Sequence, residues 1–202
     1  MSLDLKDYPS IDIMNHLLEI RRDLAGNPFV YKEFQIMLQT TFRKLTKPPK
    51  ETAAGSEAKK GKTGSSAGAM LTGHASPAEC VMHMDELGYT HVAVCATKMW
   101  SYHYHHDFIM NYPIEPIGEA VEQTGGRIIG AASYSPFHIG QSIDEIERAV
   151  KELGFKYVWF HPLSFGLPPN DRRFYPLYQK CMELDIAVGF QVGHSAEVLP
   201  SD

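Results

Sequence analysis

The stretch from Gly154 to Ser195, GFKYVWFHPLSFGLPPNDRRFYPLYQKCMELDIAVGFQVGHS, restricts the fold more than any other part of the chain. It reads as strand, long loop, helix, strand. Tyr157 to His161 is a run of β-formers between turn-rich flanks, as a strand buried on both faces would be. Asn170 or Asp171 caps a helix predicted over Arg172–Leu184, where Phe174, Leu177, Tyr178, Cys181 and Met182 recur at steps of three and four. Ile186 to Gln191 is the next strand. A strand, a crossover helix and a second strand in one sheet form a right-handed unit with both strands pointing the same way. Their carboxyl ends leave the sheet on one side, bearing His161-Pro162 and Gln191 to His194. Sites in α/β folds lie along that edge.

The rest of the chain repeats this rhythm. After a polar lead-in over residues 1–9, Ser10 to His16 alternates as a first strand, and residues 17–46 carry helical spacing broken at Gly26-Asn-Pro28. Lys47 to Gly73 is rich in Lys, Gly, Ser and Ala and poor in large apolar residues. It cannot offset its ordering entropy, so a flexible surface insertion is expected there. Its GKTGSS follows no strand and opens no amphipathic helix, which argues against a phosphate-binding loop. Ser76 as cap, Pro77 in the first turn and Glu79 three residues after the cap start a helix that runs to Leu87 and stops at Gly88. Thr90 to Ala96 is the second strand, and an aromatic, histidine-rich loop spans Thr97 to Phe108. A helix over Pro116–Thr124 ends at Gly125-Gly126, and Arg127 to Ser133 is the third strand. A second capping box, Ser142 to Glu145, opens a helix to Leu153. Five strands alternating with helices predict an α/β fold with an all-parallel sheet. Two architectures remain: an open doubly wound sheet, or about five of the eight βα units of a barrel, whose full length is about 250 residues.

Composition narrows the partners. A chain of 202 residues with 44% hydrophobic content can bury a full core, so one domain over residues 1–202 is expected. A net charge of −5 and a pI near 6.0 give no basic footprint, so no nucleic-acid partner is expected. No apolar run reaches the roughly 18 residues that a membrane span needs, and MSLDLKDYPS lacks the layout of a signal peptide. Cys80, Cys95 and Cys181 are widely spaced in apolar contexts, which predicts buried thiols and a cytoplasmic location.

Within the Gly154 stretch, Gly154-Phe-Lys156 precedes a strand ending in His161-Pro162. Then come Asp171-Arg172, Pro176-Leu-Tyr178, Cys181, Glu183-Leu-Asp-Ile186, Val188 and His194. In this cadence the chain resembles the amidohydrolase-related family of metal-dependent TIM-barrel enzymes, the group containing aminocarboxymuconate-semialdehyde decarboxylase and γ-resorcylate decarboxylase. The match extends more weakly back to Ile11, leaving out the insertion. The resemblance implies a C-terminally incomplete barrel. It also implies a hydrolase or carboxy-lyase acting on a small carboxylated, aromatic substrate, with a divalent metal (zinc or manganese) as Lewis acid.

The family's first strand ends in Asp-x-His-x-His, and here it reads Asp12-Ile-Met14-Asn-His16. His16 matches the second ligand and is the expected metal residue. Met14 stands at the first ligand's place, where a thioether suits zinc or manganese poorly. Gln191 stands where the family's next histidine ligand closes the fifth strand, and the later ligands would fall beyond Asp202. His161, expected to orient a substrate carboxylate or carbonyl, and His194 are the candidate catalytic residues. Gln191 can hold a substrate through its amide, while Trp100, His103 and His105 are expected to cover it from the loop. Two competing readings stand beside this one. The first is a metal-independent lyase or small-molecule binding protein on the same fold. The second is an inactive fragment whose open sheet edge pairs with another copy as a homo-oligomer.

Overall fold

The computed structural model describes residues 9–16, 31–40, 73–101, 104 and 106–192. Residues 17–30 and 41–46 of the helical stretch expected over 17–46, and residues 47–72 of the expected insertion, lie outside the described residues. The strands are β1 (Ile11–His16), β2 (His91–Cys95), β3 (Lys98–Ser101), β4 (Asp107–Asn111), β5 (Ile128–Ala132), β6 (Tyr157–Phe160) and β7 (Ala187–Phe190). The helices are α1 (Lys32–Thr40), α2 (Pro77–Leu87), α3 (Glu115–Gln123), α4 (Ile139–Lys151) and α5 (Tyr175–Glu183).

Five strands form one sheet in the order β1-β2-β5-β6-β7, and every pairing is parallel. Spatial order follows chain order with no switch point. A doubly wound sheet reverses its strand order midway, so that alternative falls and the fold is a partial α/β barrel. Alternation along each strand divides its side chains between two faces. Val92, Val94, Ile128, Ala132, Val158 and Phe160 join the main core, while Cys95, Ala131 and Trp159 cluster separately. The first set packs under the helices and the second lines the inside of the curl.

Capping explains where the elements begin. Ser76 Oγ accepts from the N–H of Glu79 at 3.2 Å, and Gly88 ends α2 in the left-handed region, as the sequence predicts. The Glu79 carboxylate reaches back to the N–H of Ala75, one residue before the cap. All three cysteines are buried and unbridged.

Three expectations change. Thr97 to Phe108 is not a plain loop: β3 and β4 pair there as an antiparallel hairpin. Lys98 disguises this strand, because a lysine seldom belongs to a buried one. Here its ammonium donates to Asn111 Oδ1 at 2.8 Å and lies 3.2 Å from Glu145, which makes burial tolerable. Helix α4 starts at Ile139, a turn ahead of the supposed cap. Ser142 sits inside that helix, and its hydroxyl accepts from the N–H of Ser135 at 3.0 Å, so it serves the preceding loop. The last helix is preceded by a separate 3-10 turn, Arg172–Phe174, capped by Asp171.

Asp171 accepts from the N–H, Nε and Nη2 of Arg173 at 2.8–2.9 Å. Those hydrogen bonds hold its carboxyl down to about 2, from an ordinary 3.8. A depressed carboxylate stabilises the fold above its unfolded pKa, and that contribution disappears as pH falls through the folded value. Wild type is therefore expected to exceed Asp171→Asn in denaturation midpoint above the ordinary carboxylate pKa of about 3.9. The two should converge as pH approaches 2. Denaturant titrations across that window check it, and a gap that does not depend on pH would refute it.

Candidate functional site

Because the sheet strands are parallel, their carboxyl ends share one rim. His16 ends β1, Thr97 follows β2, Ser133 follows β5, His161 follows β6 and Gln191 follows β7. A register shift between Asp12 and Asn15 inserts one extra residue into β1 opposite β2. That bulge lets the sequence neighbours Ile13 and Met14 both line the inner hollow. Two residues further on, the alternation brings His16 to the same side, where its ring meets Trp159 edge-on at 6.1 Å.

Trp159 is the centre of this rim. His161 lies two residues along the same strand direction and therefore on the same face, with ring centroids 5.9 Å apart and an edge-on approach. Both imidazoles thus meet one indole. His16 Nδ1 is 2.7 Å from Thr97 Oγ1. His161 is 5% exposed and caps the 3-10 turn Pro162–Phe165, its Nδ1 accepting from the N–H of Ser164 at 3.2 Å. Gln191 is half-buried at the end of β7, its own N–H donating to the carbonyl of Phe160 at 3.1 Å. His194, His103 and His105 lie outside the described residues.

Below the rim the curled sheet encloses a hollow of about 390 Å³. Ile11, Ile13, Ala93, Ile129, Tyr157 and Trp159 are among its walls. Its lining is almost wholly apolar, so it suits packing rather than chemistry; in a closed barrel, side chains of further strands fill this space. Tyr157 crosses it, donating its hydroxyl to the carbonyl of Ile13 at 2.5 Å. Burial, with the nearby Cys95 thiol, pushes that phenol far up, so it stays protonated and acts as a strut.

Trp100 lies on β3 and meets Phe108 at 5.3 Å and Phe137 at 5.0 Å, both edge-on. This builds an aromatic wall from the hairpin and the loop after β5. His138, to which the sequence lends no special meaning, stands against that wall 5.5 Å from Phe108. Beside it a small polar recess of about 50 Å³ holds Lys98, Asn111 and Glu145. The hairpin is tied down where Ser101 donates to the buried carboxylate of Glu33 on α1.

The rim's donors do not fit a divalent ion by themselves. Among the described residues no group of three or more His, Cys, Asp or Glu converges as metal ligands. Met14 lines the hollow, yet a thioether is a poor partner for zinc or manganese. His16 is the one expected ligand that is described.

Comparison with known proteins sets this geometry in context. A family model described as amidohydrolase matches residues 11–201. No curated protein matches the chain. Among solved structures, a manganese-bound 5-carboxyvanillate decarboxylase variant from Novosphingobium aromaticivorans aligns with a TM-score of 0.56 at 17% identity. That alignment covers 91% of this chain and 50% of the other. A second structure of that decarboxylase, with manganese and 4-hydroxy-3-methoxy-5-nitrobenzoic acid, gives 0.56 at 16% identity over 93% and 53%. The chain spans about half the length of these structures. At such identity they speak for the fold alone.

Proposed function

This chain belongs to the amidohydrolase family, and from that premise we propose that it carries the binding rim of a hydrolase or carboxy-lyase for a small carboxylated aromatic compound. The observation that carries the reading is the convergence of His16, Trp159 and His161 on one face at the carboxyl rim of a parallel sheet. The substrate class follows the nitrobenzoic acid held by the 5-carboxyvanillate decarboxylase. It also suits a rim whose aromatic surfaces, Trp159 and the Trp100 wall, can take a flat ring. His161 then donates to a carboxylate or carbonyl oxygen, Gln191 adds an amide donor, and His16 meets the same indole from the end of β1. His103 and His105 are proposed as further substrate-binding residues and His194 as a catalytic one.

The donor set favours a second reading on the same fold. With Met14 and Gln191 at places where the family has ligands, the described rim supports a metal-independent lyase or a small-molecule binding protein. Zinc or manganese, as the resemblance implies, would need ligands beyond the described residues to join His16.

The chain's two tryptophans are Trp100 and Trp159 and it has ten tyrosines, so fluorescence under tryptophan-selective excitation reports on this region. Titration with 4-hydroxy-3-methoxybenzoate is expected to quench it saturably. His161→Ala should weaken binding by roughly tenfold or more, as loss of a hydrogen bond to a charged group does. Quenching that persists in chelator selects the metal-independent reading, and quenching abolished by chelator selects the metal-assisted one. Absence of saturable quenching across substituted benzoates would overturn the substrate class.

A further inference from the structure

We propose that His74 and His83 form a two-histidine clip for a borderline divalent cation (zinc, nickel or copper) on the exposed flank of α2, separate from the rim. The clip does not depend on the proposed function, and His16, Trp159 and His161 take no part in it.

The cap of α2 builds it. Ser76 Oγ accepts from the N–H of Glu79, and the Glu79 carboxylate accepts in return from the N–H of Ala75. These two bonds close the chain from Ala75 to Glu79 into a fixed entry, with Pro77 setting the first turn. His74 immediately precedes that entry, which turns its ring back along the helix onto a partner nine residues further on. His83 stands one turn beyond Glu79 on the same side of α2. Pro77, Cys80 and Met84 carry the buried face of the helix, whereas His83 is exposed.

The two rings stand at the spacing of metal ligands. Their Nδ1 atoms lie 3.2 Å apart, with ring centroids at 4.8 Å and planes inclined by 59°. Two nitrogens bound at 2.0–2.1 Å to one tetrahedral zinc stand about 3.3–3.4 Å from each other. An imidazole binds a metal only in its neutral form. Burial, and then the neighbouring His83, lower the pKa of His74 against the opposing pull of Glu79. The ring is therefore neutral at neutral pH, while the Glu79 carboxylate adds a negative charge that favours a cation beside it.

Imidazole nitrogen suits zinc, nickel and copper, whereas magnesium, calcium and manganese prefer carboxylate, carbonyl and water oxygens. Among the described residues no third His, Cys, Asp or Glu completes the set, so solvent fills the other positions and the site is open. A bound ion would staple the segment entering α2 to the middle of that helix.

Zinc titration of the ¹⁵N-histidine-labelled 202-residue chain, followed through the ring nitrogens, tests this. The pH is set roughly one unit above the ordinary imidazole pKa of about 6.5. The chain has ten histidines, so His74→Gln and His83→Gln serve to assign the two rings. Both Nδ1 resonances are expected to move along one zinc-binding curve, and magnesium should move neither. In a chelate the first ring to bind presents the metal to the second at high effective concentration. Either substitution should therefore weaken zinc binding at the remaining ring by roughly tenfold or more, while His16→Gln leaves both rings as they are. Rings that ignore zinc share a hydrogen bond only, and the proposal falls. It falls equally if His74→Gln leaves the zinc affinity of His83 unchanged, because the two then bind independently. Should one variant fail to fold, the other makes the same comparison. A failed benzoate titration leaves these outcomes untouched, so the clip and the proposed function fail separately.

Discussion

Replacing Phe174 with alanine is expected to destabilise the fold by about 3–5 kcal/mol, the range for deleting a buried phenylalanine. Phe174 is fully buried at the end of the 3-10 turn that leads into α5. Its ring meets Phe160 of β6 at 5.0 Å and Tyr134, in the loop after β5, at 6.0 Å. Tyr134 in turn donates its hydroxyl to the carbonyl of Arg173 at 2.6 Å, which clamps the turn over the ring. Removing the ring leaves a cavity that three elements cannot close together, because Tyr134 is pinned and Phe160 sits in a paired strand. A loss of that size is a large share of the roughly 5–15 kcal/mol by which domains are stable. Chemical denaturation read at the midpoint checks it. Phe174→Leu, which refills much of the volume, should recover most of the loss. A change below about 1 kcal/mol for Phe174→Ala would show that the site relaxes freely, and the packing account of this corner would be wrong.

Gly130→Val is expected to cost on the order of 1–3 kcal/mol or more, the range for overpacking a filled core. A Cβ at position 130 would lie 2.4 Å from Cδ1 of Phe155, far inside contact distance. Phe155 is 1% exposed, two residues before β6, with its N–H bonded to the carbonyl of Ala149 at 3.0 Å, so its backbone is held and its ring is enclosed by the core. The glycine is therefore a packing requirement: a flat ring rests on bare backbone. If that is the cause, shortening the partner should relieve it. Phe155→Leu costs stability alone, but combined with Gly130→Val it should cost less than the sum of the two. Strict additivity in that double-mutant cycle would remove the proposed clash.

Both positions show how far local signals reach. Phe174 is legible as core from its spacing with Leu177 and Cys181, a helical period that needs no partner to be seen. Gly130 is only a glycine within a strand until the ring of Phe155 is placed on it. The same division runs through the site. Alternation and capping residues (Ser76, Gly88, Asp171) mark the βα repeats in the linear chain, because caps and periods are satisfied by neighbours in sequence. The β3–β4 hairpin escapes that reading, since the residues that make Lys98 acceptable in a buried strand, Asn111 and Glu145, are distant from it in the chain.

The amino-acid sequence by itself determined a parallel α/β sheet of five strands, its direction, and hence the rim on which His16, His161 and Gln191 would stand. Tertiary structure alone decided between the two architectures by running the strands in chain order with no switch point, and it alone brought His16 and His161 to the same indole, Trp159. The physical reason is reach. Backbone periodicity is set by residues a few positions apart, whereas a side chain's hydrogen-bond partner is whichever group folding brings within reach. For His16 that partner is Thr97, 81 residues away in the chain.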